Sequence, residues 1–246
     1  MDPSKTIIIP PREGHRHTHT VIFLHGRGGT ASGLVDGWFW SPNSQPSSPN
    51  YLPGHVLIAS FPTFRWVFPQ APLREVLSAT SRKDGGPGGG GGGGVQVEKW
   101  PQWFDVANTS DFSQDEDIQL PGLRESVIAV AQLIEAEAAL LGSGGSRYMY
   151  DRIVLAGISM GCATGVHTLF NLILPGPSSN QRLAAFMGFS GRCPFVHSCG
   201  AELREMRAKL GLVQGRENLA EGVESEVLKG TPILLEHCVD DPLVLV

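Results

Sequence analysis

Three short stretches hold residue types that could carry out acyl chemistry. The first spans residues 151–170, DRIVLAGISMGCATGVHTLF, where an apolar run leads into Gly157, Ile158, Ser159, Met160 and Gly161 and an apolar helical pattern follows. A serine at a sharp strand-to-helix turn sits in a strained backbone, and flanking glycines remove the β-carbons that would clash there. The N-terminus of the next helix lies beneath such a serine. Its dipole and unbonded N–H groups favour the negative charge that develops in acyl transfer. Ser159 is therefore the candidate nucleophile, with an ordinary strand–helix turn as the competing reading of the same residues.

The second stretch, HGRGG from His25 to Gly29, follows directly on the apolar run at residues 21–24. It lacks the lysine of a phosphate-binding GxxxxGK[ST] loop and the spacing of GxGxxG, which leaves a Gly-rich turn at a strand end. The third is TPILLEHCVDDPLV, residues 231–244, where an apolar run ends at Glu236 and His237, and Asp240, Asp241 and Pro242 lie just beyond it. In an open α/β sheet, that carboxyl edge is where ligands and catalytic groups gather.

These groups need a scaffold that brings strand ends together. Residues 21–24, 65–68, 152–156, 184–189 and 232–235 read as buried strands, continuous in apolar character as a parallel sheet covered on both faces requires. Between them Leu123, Val127, Val130, Ile134 and Leu141 recur at helical spacing, and the pattern stops at the GSGGS breaker from Gly142. Alternating strands and helices predict an α/β fold with a mostly parallel sheet and right-handed crossovers.

Composition narrows the function classes. The chain has 246 residues, 41% apolar and 17% charged, enough for one domain with a sizeable core and short for two. A net charge of -5 supplies no basic field for a phosphate backbone, so nucleic acid is not an expected partner. No apolar run reaches the length of a transmembrane segment, and the first 20 residues show no signal-peptide pattern. Four cysteines without a CxxC pair make no disulfide scaffold, which points to a reducing, cytoplasmic setting. Two stretches read as disordered loop insertions in a single domain over 1–246: the Ser/Pro/Asn-rich 41–50, and 82–95, whose GGPGGGGGGG holds nine of the 31 glycines.

The six segments VIFLHGRGG, FRWVFPQAP, PQWFDV, AGISMGCATGV, MGFSGRCPF and PILLEHCVDDPLV, in this order, resemble the acyl-protein thioesterase and phospholipase/carboxylesterase family of α/β-hydrolases, particularly its fungal members. The resemblance implies an α/β-hydrolase fold, hydrolysis of a thioester or carboxylic ester through an acyl-serine, and no cofactor or metal. It implies backbone N–H groups of Arg27 and Met160 as the oxyanion hole. The family pattern HGxxDPxV falls on residues 237–244, which makes Asp241 the triad acid and puts Cys238 where the family has glycine. Acylated proteins, lysophospholipids and small esters are the implied substrates.

The family's triad histidine lies beyond a further helix and strand, whereas this sequence has five residues after Asp241. The final strand and helix are thus expected to be missing, leaving residues 232–235 as a sheet edge with unpaired backbone groups. A fragment of a working esterase, a degenerate paralogue and a shortened binding protein remain open, with the intact GISMG and DDP motifs favouring the fragment. An inactive hydrolase-fold protein that binds an acyl ligand or a partner, or an esterase of a secondary-metabolite pathway, are the alternatives for function.

Other residues carry weaker signals. Of the histidines, His25 and His237 sit in strand-end turns as loop-orienting residues, His167 faces away from the elbow, and His197 is the one to test as a replacement base. His15, His17 and His19 alternate along an extended segment and read as a solvated strand face rather than a metal site. Trp38, Phe39, Trp40, Trp66 and Phe68 could line an acyl groove, and core packing explains them equally well. Cys162 reads as a small buried residue.

Overall fold

The computed structural model of the protein describes residues 1–39, 60–76, 98–109, 111–142, 148–174, 181–195 and 226–241. All five predicted strands form, each within two residues of its expected bounds: β2 (His19–Leu24), β3 (Phe64–Gln70), β6 (Ile153–Ile158), β7 (Ala185–Phe189) and β8 (Ile233–Glu236). With β1 (Asp2–Ile9) they make one six-stranded sheet in the order β1-β3-β2-β6-β7-β8. Only β1 is antiparallel to its neighbour.

Residue alternation divides the sheet's two faces. Ile22, Leu24, Val67, Ile153 and Leu155 join a core with α2 (Gln119–Leu141) and α3 (Met160–Asn171). Val21, Phe23, Trp66, Phe68 and Ala156 pack on the other face with Ala31 and Leu34 of α1 (Ala31–Phe39). The helix expected from the apolar spacing is α2, and Leu123, Val127, Val130, Ile134 and Leu141 are all buried in it. Its Pro121 lies in the first turn, where no intrahelical N–H bond is forfeited, and Gly142 ends it. Glu137 is also buried on α2, satisfied by the Arg65 Nε–H at 2.9 Å and the Thr20 hydroxyl at 3.2 Å.

Several expectations need correcting. The N-terminal segment supplies a strand that the apolar runs did not predict: DPSKTIII pairs with β3, with a register irregularity between Asp2 and Ile7 that absorbs its polar half. His17 and His19 are half-buried rather than solvated: His17 Nε2 lies 2.9 Å from the Thr20 hydroxyl, and His19 Nε2 accepts from Arg152 at 3.3 Å. Burial on both faces fails for β8, where Ile233 is 47% and Leu235 66% exposed. The reason is positional, since β7 is its only strand neighbour among the described residues. Trp66 and Phe68 are core residues, not groove lining. A ribbon of β4 (Leu73–Glu75) and β5 (Lys99–Pro101) was not anticipated at all. The insertions at 41–50 and 82–95, Trp40, His197 and the side chains of Trp38 and Phe39 lie outside the described residues.

Candidate active site

Ser159 stands alone between the last residue of β6 and the first of α3. Its backbone adopts φ 54° and ψ -120°, a conformation that costs a non-glycine residue about 1–3 kcal/mol and persists only where the surroundings impose it. Two neighbours impose it. The Ser159 N–H donates to the carbonyl of Phe189 at the end of β7, at 2.9 Å, and its carbonyl accepts from the Ala163 N–H in α3 at 3.1 Å. The flanking glycines are steric necessities, because a β-carbon on Gly157 would stand 2.5 Å from the carbonyl carbon of Gly161. The strand–helix elbow expected from GISMG is thus formed, with the helix N-terminus directly after the serine.

The HGRGG turn folds onto this elbow. A β-carbon on Gly26 would lie 3.4 Å from Ser159 Cβ and 3.8 Å from its Oγ, so the turn and the serine are in contact. The turn is closed by the Gly29 N–H donating to the Gly26 carbonyl at 3.1 Å, with Gly28 at φ 72°. Arg27 therefore lies in a tight loop beside Ser159, and Met160 opens α3, where the first N–H groups have no intrahelical acceptor.

His25 anchors the turn rather than acting as a base. Its Nδ1 bonds the Gly26 carbonyl at 2.7 Å, and its Nε2 accepts from the Ala71 N–H and the Gln70 amide, each at 3.1 Å. This network assigns a neutral ring protonated at Nδ1, and burial pulls its pKa below the usual histidine range. The same Gln70 accepts the Ala31 N–H at 2.9 Å, which ties the start of α1 to the end of β3. Trp103 closes the arrangement from behind, its indole N–H donating to the His25 carbonyl at 2.7 Å.

Asp241 lies on the same sheet edge. Ile158, Phe189 and Glu236 are register partners across β6, β7 and β8, so the three strands end level. The chain leaves β8 two strand spacings, about 10 Å, from Ser159. Past that point the Asp241 N–H bonds the Cys238 carbonyl at 3.1 Å, and the Asp241 carboxylate lies 3.8 Å from His237 Nε2. Among the described residues no side chain hydrogen-bonds to Ser159 Oγ. Ser159, Arg27, Met160 and Asp241 therefore lie along one edge of the sheet.

The loop after β7 is braced by Arg192, Gln119, Phe112 and Glu116, none of them singled out in the sequence, and by His167. Arg192 donates to Gln119 Oε1 at 2.7 Å and covers the Phe112 ring at 4.2 Å, and burial pulls its pKa down to about 10. The Phe195 N–H bonds Glu116, and His167 Nε2 donates to the Pro194 carbonyl at 3.0 Å. Burial lowers the His167 pKa to about 4. His167 is thus a neutral brace, directed away from the elbow as expected. Cys162 is buried and its thiol is pushed up to about 11. Gln70, Trp100, Gln102, Trp103 and Arg192 had only one available signal: most of them fall inside the segments FRWVFPQAP, PQWFDV and MGFSGRCPF.

Residues 94–219 match the phospholipase/carboxylesterase family. Acyl-protein thioesterase 1 of Schizosaccharomyces pombe is 26% identical over 239 residues, covering 97% of this chain and 75% of that protein. The Mycosarcoma maydis protein of the same name is 31% identical over 170 residues, covering 68% and 58%. Among solved structures, Zea mays acyl-protein thioesterase 2 is similar with a TM-score of 0.52 at 20% identity, covering 98% of this chain and 78% of that one. Esterase PE8 is similar with a TM-score of 0.52 at 19% identity, with the same coverage of 98% and 78%. The chain belongs to the phospholipase/carboxylesterase family of hydrolases and has the α/β-hydrolase fold.

Proposed function

We propose that this protein is a serine hydrolase that cleaves thioesters or carboxylic esters through an acyl-enzyme on Ser159. The observation that carries this reading is the strained elbow, with Ser159 at φ 54° pressed against the HGRGG turn. Ser159 Oγ attacks the carbonyl carbon as its proton passes to a general base, the role for which the family pattern calls on a histidine oriented by Asp241. The resulting oxyanion is received by the N–H groups of Arg27 and Met160, which a preorganised turn and a helix N-terminus supply at no reorganisation cost. The leaving thiolate or alkoxide takes a proton, and water then releases the acyl group by the same sequence of steps. Asp241 is the acid that orients the base and stabilises its charged form.

The base itself is not His25 or His167, both of which are engaged in bonds elsewhere. Acylated proteins are the substrates this reading favours, since the curated relatives of both fungi are named acyl-protein thioesterases. Lysophospholipids and small esters share the same reacting group. Cys162 and Cys238 are free thiols, which supports a cytoplasmic setting, and no described helix is long and apolar enough to cross a membrane.

A second reading draws on one observation: among the described residues nothing hydrogen-bonds Ser159 Oγ. On that reading the elbow binds an acyl group without turning it over. A fluorophosphonate probe decides between the two. Labelling that disappears in Ser159→Ala, together with hydrolysis of a palmitoyl thioester, supports the enzyme. An unlabelled, folded protein that still binds the thioester supports the binding module.

A further inference from the structure

The end of β5 and the two residues after it reach the HGRGG turn through four separate contacts. The Gly28 N–H donates to the Pro101 carbonyl at 2.8 Å, and the Trp103 indole N–H donates to the His25 carbonyl at 2.7 Å. Between them the Arg27 side chain is gripped twice: its Nε–H donates to Gln102 Oε1 at 2.9 Å, and its guanidinium lies 4.8 Å from the centroid of the Trp100 ring. The grip is itself braced. The Gln102 amide donates to the Glu75 carbonyl at 3.0 Å across the β4–β5 ribbon, and the Trp100 indole N–H donates to Glu98 at 2.7 Å. Trp100 also packs on the turn backbone, since a β-carbon on Gly28 would lie 3.4 Å from its ring.

We propose that Trp100 and Gln102 are positioning residues for the oxyanion turn, acting on it through the Arg27 side chain. The inference rests on the reading of the Arg27 N–H as an oxyanion donor. A five-residue turn with three glycines has a large conformational freedom to lose, and an N–H that wanders by an ångström no longer meets the developing charge. A guanidinium bonded by its Nε–H to an amide oxygen and laid against an aromatic face fixes the side chain, and with it the peptide that carries the N–H. Neither Trp100 nor Gln102 touches the serine in this arrangement; their effect on chemistry is indirect.

The test follows the rate of fluorophosphonate labelling of Ser159 in the full chain, separating the maximal rate from the half-saturating probe concentration. Trp100→Ala and Arg27→Leu should each slow the maximal rate by about 10- to 100-fold with the half-saturating concentration within about twofold. The double variant should be no slower than the slower single one, because both act through one contact. Trp100→Phe, which keeps an aromatic face for the guanidinium, should restore most of the rate. Amide exchange at residues 26–29 should accelerate in Trp100→Ala and return in Trp100→Phe. Equal maximal rates in the folded unaltered protein and in Trp100→Ala overturn the proposal and leave the serine hydrolase reading standing. So does a rate loss that the double variant doubles. An unaltered protein that takes no label removes that reading and the inference with it.

Discussion

The α-carbon of Gly161 packs against the carbonyl oxygen of His25, so closely that a β-carbon built on it would stand 2.6 Å away. Helix α3 and the HGRGG turn therefore meet backbone to backbone, with no side chain able to yield. Gly161→Ala should lower stability by about 1–3 kcal/mol in a denaturant titration, the usual penalty of overpacking, and should slow fluorophosphonate labelling by separating the turn from Ser159. Unchanged stability would mean that the two segments part freely.

Strain at the elbow gives a prediction of opposite sign. Ser159 sits at φ 54°, a conformation that glycine adopts without penalty. Ser159→Gly should raise stability by about 1 kcal/mol, the relief of strain less glycine's larger unfolded-state entropy, while abolishing labelling. Calorimetry of the two proteins side by side checks it. A drop in melting temperature would show that the serine side chain makes a stabilising contact in place.

The pH dependence of stability follows from His167. Burial holds its pKa at about 4 in the folded protein, against an ordinary value of about 6.5 in the unfolded chain. As pH falls, the unfolded chain binds a proton first, so the stabilisation is whole above about pH 6.5 and is lost progressively toward pH 4. The loss is about 3 kcal/mol for this one group. Urea titrations at pH 7 and pH 4.5 should differ less in His167→Gln, whose amide can keep the bond to Pro194. An identical difference in both proteins would place the proton uptake elsewhere.

Cysteine reactivity should be graded by depth. Cys238 is exposed, Cys193 is half-buried, and the Cys162 thiol is held up to about 11 by burial. Since the thiolate is the reacting form, iodoacetamide at pH 8 should modify Cys238 before Cys193, and Cys162 only after denaturation. Peptide mass spectrometry over a time course reads this directly. Early modification of Cys162 would mean that the packing against Gly188 and Gly191 opens in solution.

The elbow at Ser159, the turn after His25 and the aspartates past a strand end were legible in the sequence because each is local: glycines on either side of Ser159, glycines after His25, and paired aspartates after an apolar run. The parallel strands were legible for the same reason, as unbroken apolar runs. What escaped depends on distance. Gln70 and His25 are 45 residues apart and Trp103 and His25 are 78, and a single sequence carries no mark of which polar groups will meet across such intervals. β1 escaped because most of it, DPSKT, is polar, and of those five residues Asp2 is the one with a register partner in β3. The exposure of β8 escaped because an apolar run looks the same whether or not its faces are covered.

The β4–β5 ladder ends at the pairing of Glu75 with Lys99, whose side chains lie 3.9 Å apart. Everything that holds the HGRGG turn lies at or behind that closing pair, apart from Glu98, which braces Trp100 one residue beyond it. The turn's supports are thus drawn from two short segments, 70–75 and 98–103, that the ladder holds side by side.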